Sequence, residues 1–93
     1  VDEYDRQRTR ERIRALLLRS FVPPDEAPSL GWETPLVAYG IGADSVATLE
    51  LVLKLEEEFG VEIDEGAVEE DDLESIDSLC RLVERAARKP GGG

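Results

Sequence analysis

Few residues of this 93-residue chain could do chemistry: Ser45, the lone Cys80, Lys54 and a dense set of carboxylates. Ser45 lies in Gly42-Ala43-Asp44-Ser45-Val46. A stretch broken by proline and glycine precedes it, and apolar residues at helical spacing follow it for about four turns, which places the hydroxyl in the first turn of a helix. A hydroxyl there either caps the helix, accepting from an unpaired backbone N–H, or is presented to solvent. As a nucleophile it would need a base within hydrogen-bond reach, and the chain has no histidine. Lys54 lies on a different face of the same helix and cannot substitute. Cys80 falls on an apolar stripe and reads as a core thiol. There is no glycine-rich phosphate loop followed by lysine, and no Cys/His cluster for zinc. The acidic run Asp64-Glu65-Gly66-Ala67-Val68-Glu69 lacks the ligand order of a calcium loop. The chain is therefore expected not to be an enzyme, and Ser45 to be an acceptor that another protein's active site modifies.

The elements that must position Ser45 are legible as helices. Residues 4–20 are expected to form one, with Ile13, Leu16, Leu17 and Ser20–Phe21 on one stripe, and Pro23-Pro24 stop it. Its six arginines either face water or attract the acidic middle of the chain. From about residue 21 to 44 neither a helical nor a strand period persists, so a long loop is expected, pinned by Leu30, Trp32, Leu36, Val37, Tyr39 and Ile41. Trp32 is expected to be a packing anchor. In the helix over 45–59, Thr48, Leu51, Val52, Leu55 and Phe59 share the core arc, while Val46, Glu50, Leu53 and Glu57 share the opposite one. Apolar residues rimmed by acids beside a presented hydroxyl resemble a docking strip. Gly60 is placed to end this helix, Val61-Glu62-Ile63 is extended, and 64–73 has room for irregular helical turns. The last helix begins after Ser75, its expected N-cap, with Ile76, Leu79, Cys80 and Val83 on its apolar stripe.

Charge narrows the partners. The net charge is −11, and the excess is concentrated in residues 44–77, which hold fourteen acids against Lys54. Such a surface repels nucleic acid and favours cationic protein partners. No apolar run is long enough for a membrane span, and the expected setting is cytoplasmic. Residues 1–89 are expected to form a single domain and a monomer, with 90–93 a flexible glycine-rich tail.

The run Gly42-Ala43-Asp44-Ser45-Val46, continued by Thr48-x-Glu50-Leu51-Val52-x-x-Leu55-Glu56-Glu57-Glu58-Phe59-x-x-Glu62-Ile63, resembles the acyl carrier protein family, and the similarity in layout extends over roughly residues 5–88. The resemblance implies an all-α fold, a small antiparallel four-helix bundle of three longer helices and one short, with a long loop between the first two. It implies that Ser45 receives 4′-phosphopantetheine from coenzyme A through a phosphopantetheinyl transferase, and that the thiol of the arm carries acyl groups as thioesters. The implied partners are that transferase, an acyl-loading enzyme, and a ketosynthase or other acyl-processing enzymes. The serine-bearing helix is the family's recognition surface, which assigns partner contacts to Asp44, Val46, Glu50, Leu53, Glu56 and Glu57. Val46 stands where the family most often has leucine, Ala47 where an acid is common, and Lys54 adds a positive charge. These three departures bear on which synthase recognises the chain. The long proline-rich loop with Trp32 and the arginine-rich first helix, unlike those of a housekeeping fatty-acid carrier, point to a specialised polyketide or related pathway, free-standing or part of a larger synthase. A peptidyl carrier, or an acidic helical adaptor without a prosthetic group, is the alternative. If cargo is sheathed in the bundle, Leu49, Val52, Leu55 and Ile63 are expected to border it.

Overall fold

The structure, a computed structural model, describes residues 3–88. The expected tail at 90–93 lies outside the described residues. Three main helices, α1 (Glu3–Ser20), α2 (Ser45–Phe59) and α3 (Ile76–Arg88), alternate with short 3-10 turns at Pro24–Ser29, Leu36–Tyr39, Glu65–Ala67 and Glu70–Leu73. The described residues contain no strand. The fold is all-α, and the expected short fourth helix takes the form of the two turns between α2 and α3.

Each helix ends where the sequence changes character. The amides of Phe21 and Val22 both donate to the carbonyl of Leu17 at 2.7 Å, and Pro24 then starts a 3-10 turn at the position where a missing N–H costs least. α2 ends at Gly60, whose left-handed φ of 64° lets its N–H reach the carbonyl of Glu56 at 2.8 Å. α3 starts at Ser75, whose Oγ accepts from the amide of Ser78 at 3.2 Å, as its N-cap position predicts.

One core joins the elements. Ile13, Leu16 and Leu17 of α1, Leu51, Val52 and Leu55 of α2, and Ile76, Leu79, Cys80, Leu82 and Val83 of α3 are buried together with Leu30, Leu36 and Ile41 of the long connection. That connection is therefore a packed segment with two helical turns. The sequence conceals those turns because i→i+3 bonding around prolines leaves no 3.6-residue period to detect.

The arginines of α1 settle its position. The Arg6 guanidinium grips the Glu84 carboxylate, with Nη2 to Oε1 at 2.7 Å, and Arg10 Nε donates to Asp77 Oδ1 at 2.8 Å. Both acids are on α3. Arg12 and Arg19 reach Glu58 of α2 at 3.2 and 3.3 Å, and Arg12 also donates to the Glu58 carbonyl and lies 4.4 Å from the Phe59 ring centre. A cation at the end of α2 complements its dipole and occupies an orphan carbonyl. Arg14 satisfies the carbonyls of Ala27 and Leu30 at 2.7 and 3.0 Å. Cations that could have marked a polyanion surface are thus paired within the chain, Arg12 and Arg19 at its surface.

Candidate functional site

Ser45 is the first residue of α2, exposed, and its side chain makes no hydrogen bond within the described residues. The capping role belongs to Asp44. With φ −146° and ψ 179°, Asp44 accepts from the amide of Ala47 through Oδ1 at 2.8 Å, while its carbonyl takes the amide of Thr48 at 2.9 Å. The Ser45 hydroxyl is left with no structural task. The amides of Ser45 and Val46 find no acceptor among the described residues either, so the helix N-terminus presents two donors and the positive end of its dipole next to the hydroxyl.

Three contacts set the approach to this point, each between the long connection and residues 73–77, which lead into α3. The Asp77 amide donates to the Trp32 carbonyl at 3.0 Å, and the Leu36 amide donates to the Glu74 carbonyl at 2.9 Å. Gly42, at φ 72°, lies so close to Leu73 that a Cβ there would meet Leu73 Cδ1 at 3.2 Å. Trp32 is half-buried, under the Arg10 guanidinium at 5.7 Å, while Arg10 also holds Asp77. Trp32 is an anchor as expected of it, its indole packed on the core under Arg10 of α1 and its carbonyl bonded to α3.

On α2 the opposite arc is open. Val46 is 73% and Leu53 49% exposed, with exposed Glu50 and Glu57 beside them. Neither of those two carboxylates has an ion pair among the described residues. Glu56 differs from the expectation in one respect: it is half-buried, and its Oε2 accepts the amide of Ile63 at 2.8 Å, holding the chain that leaves α2. Leu49 differs too. It is 43% exposed and joins the outer arc next to Leu53, because its angular position falls between the core arc and the opposite one. Val37, expected to pin the connection, is also 67% exposed.

Val52, Leu55 and Ile63 are buried. Beside Ile63 is a cavity of about 70 Å³, lined by Ala67, Leu82, Arg85 and Ala86 among others. An apolar cavity of about 150 Å³ holds one benzene, so this one is too small for an acyl chain without expansion. Cys80 is fully buried, and burial, reinforced by the Asp77 carboxylate, pushes its thiol up to about 11. It is inert under ordinary conditions. The described residues contain no cluster of acids, cysteine or histidine able to hold a metal ion, and no helix long and apolar enough to cross a membrane.

With the geometry in place, comparison with known proteins is decisive. The profile of the family described as "Phosphopantetheine attachment site" matches residues 11–83, most of the chain. The chain belongs to this family, that of the acyl carrier proteins. It is 30% identical over 84 residues to acyl carrier protein 1, chloroplastic, of Casuarina glauca, covering 90% of this chain and 58% of that protein. It is 44% identical over 46 residues to the acyl carrier protein of Sinorhizobium fredii and to acyl carrier protein AcpP of Rhizobium meliloti, covering 50% of this chain and 56% of each. The chain thus spans little more than half the length of these curated relatives.

Membership implies a 4′-phosphopantetheine arm. The residues present fit the arm. A phosphodiester on the first residue of α2 would face the open amides of Ser45 and Val46 and the helix dipole, all of which favour negative charge. The nearest carboxylate, Asp44, is turned to the Ala47 amide. When bound, the arm would supply a terminal thiol, which the chain itself would only have to display.

Proposed function

We propose that Ser45 is the attachment residue, and that the chain carries acyl groups in a fatty-acid or polyketide type of synthesis. The observation that carries this reading is an exposed hydroxyl at the first residue of α2, released from capping by Asp44 and without a base to activate it. In the modification, Ser45 Oγ bonds to the phosphorus of coenzyme A that bears the pantetheine, the pyrophosphate bond breaks, the nucleotide half leaves, and the serine proton passes to a base of the transferase.

The docking surface is the outer arc of α2. Val46 and Leu53 supply apolar contact, and Asp44, Glu50 and Glu57 supply negative charge to basic patches on the transferase, on an acyl-loading enzyme and on a ketosynthase or other acyl-processing enzyme. Glu56 adds charge to the same side while holding Ile63. A free cysteine kept reduced by burial suits a cytoplasmic setting.

Incubation with coenzyme A and a broad-specificity phosphopantetheinyl transferase is expected to add the mass of one phosphopantetheine, located at Ser45 by peptide mapping. Ser45→Ala is expected to remain folded and gain nothing. A full-length mass gain in Ser45→Ala would refute the assignment.

A further inference from the structure

We propose that Leu73 is a positioning residue for Ser45, acting through Gly42. The inference rests on the reading of Ser45 as the modified residue and concerns what holds that residue in place.

The segment from Trp32 to Gly42 runs against residues 73–77 in reverse order: Trp32 meets Asp77, Leu36 meets Glu74, and Gly42 meets Leu73. The first two contacts are hydrogen bonds between main-chain atoms, which fix spacing along the two segments. The third is a steric stop, the Leu73 side chain standing where a Cβ on Gly42 would meet its Cδ1 at 3.2 Å, and it comes last before the helix. Only Ala43 and Asp44 separate it from Ser45. Gly42 is in the left-handed region, where the chain reverses, so its placement sets the direction from which the backbone reaches Asp44 and α2.

Leu73 is itself held from behind. It is buried, and it ends the turn Glu70–Leu73, which is closed at its start by reciprocal bonds between Glu69 and Asp72. Asp72 also takes Arg85 of α3 at 3.0 Å. The stop is therefore fastened to α3 through Asp72 and Arg85, besides the bond that Glu74 makes to Leu36 of the connection.

The transferase must bring its bound coenzyme A into line with Ser45 Oγ. A displacement of about 1 Å in such a reacting atom can lower the rate a hundredfold. Removing the stop leaves the outer arc of α2 unchanged, so recognition persists while orientation suffers. The signature of a positioning residue is then a fall in kcat at nearly constant KM.

The experiment is steady-state modification of the whole chain by the transferase, comparing wild type with Leu73→Ala, Leu73→Met and Leu82→Ala. Leu82 is an equally buried leucine of α3 on the side of the small cavity, so its truncation controls for lost stability. For Leu73→Ala, kcat is expected to fall about tenfold with KM within about twofold; Leu73→Met is expected to recover most of it, and Leu82→Ala to keep wild-type kcat at a similar loss of Tm. Amide hydrogen exchange at Ala43 and Ala47, whose N–H groups donate to the Gly40 carbonyl and to Asp44 Oδ1, is expected to quicken in Leu73→Ala alone. Unchanged kcat in Leu73→Ala, or an equal fall in Leu82→Ala, overturns the proposal. If Leu73→Ala fails to fold, Leu73→Val is read by the same two criteria. A wild-type chain that gains no arm at Ser45 instead overturns the carrier reading, and every variant would share that result.

Discussion

α1 and α2 are both rich in charge, and they use it in opposite ways. On α1, Arg6, Arg10, Arg12, Arg14 and Arg19 all turn to groups of the same chain: carboxylates of α2 and α3, and carbonyls of the connection. On the outer arc of α2, Glu50 and Glu57 have no ion-pair partner among the described residues, and Val46 and Leu53 are left uncovered between them. A charge paired within the fold is neutralised towards partners, and where the pair is part-buried, as in Arg6 with Glu84, it contributes to stability. A charge left open contributes little to stability and remains free for an encounter. The contrast teaches that residue type alone does not mark a binding surface.

The comparison breaks most visibly if an α1 cation is removed. Glu84 is almost fully buried and its carboxyl is held below the usual range by the hydrogen bond from Arg6, against the opposing effect of burial. Arg6→Met would leave that carboxylate buried without a partner, at an expected cost of about 2 kcal/mol, between the values for exposed and for fully buried pairs. Denaturant titration measures it, and transferase kinetics on the folded variant should be unchanged. The pH dependence follows from the sign of the shift. A folded-state pKa below the unfolded one contributes stability that is complete above the unfolded value, 4.5, and is lost as the pH falls through the folded value. Thermal melts from pH 6 to 3 should therefore decline less steeply in Glu84→Gln than in wild type.

The reverse case is the outer arc of α2. Glu50→Lys combined with Glu57→Lys should lower kcat/KM for the transferase about tenfold at low ionic strength, equivalent to about 1.4 kcal/mol. Added salt should narrow the difference, since both positions are exposed. Tm should hardly move; a large drop would mean that these carboxylates have a structural role after all.

The smallest expected effect sharpens the division of labour between neighbours. Asp44→Ala should cost about 1 kcal/mol through loss of the Ala47 bond, with Asp44→Asn recovering most of it. Ser45→Ala should leave stability nearly unchanged, because Ser45 caps nothing.

Much of this was readable in the sequence where the determining interactions are local. Pro23-Pro24, Gly60 and Ser75 punctuate the chain within a few residues of the helix ends they define, and Leu51, Val52 and Leu55 declare the inner face of α2 by their spacing. Ser45 and its cap are adjacent residues. What stayed hidden depends on distant partners. Arg6 and Glu84 are 78 positions apart, and nothing in either neighbourhood specifies the other. Glu56 looked like an outward acid because its partner, the Ile63 amide, is brought within reach only by the turn at Gly60. The contact between Leu73 and Gly42 leaves no pattern at all, since one member has no side chain. Leu49 sits at an angle where pattern alone does not decide, and the packing of its neighbours left it outside.

The state of Cys80 bears on how the loaded protein would behave in solution. A sulfur enclosed by the core and ionising only near pH 11 does not compete for electrophiles while the chain is folded. Any maleimide or disulfide reagent that reacts with the arm-bearing, unacylated chain at neutral pH would therefore be reading the terminal sulfhydryl of the arm. Thioesters could form there, be discharged and be counted one per molecule, without a second accessible thiol on the same polypeptide to exchange with the cargo.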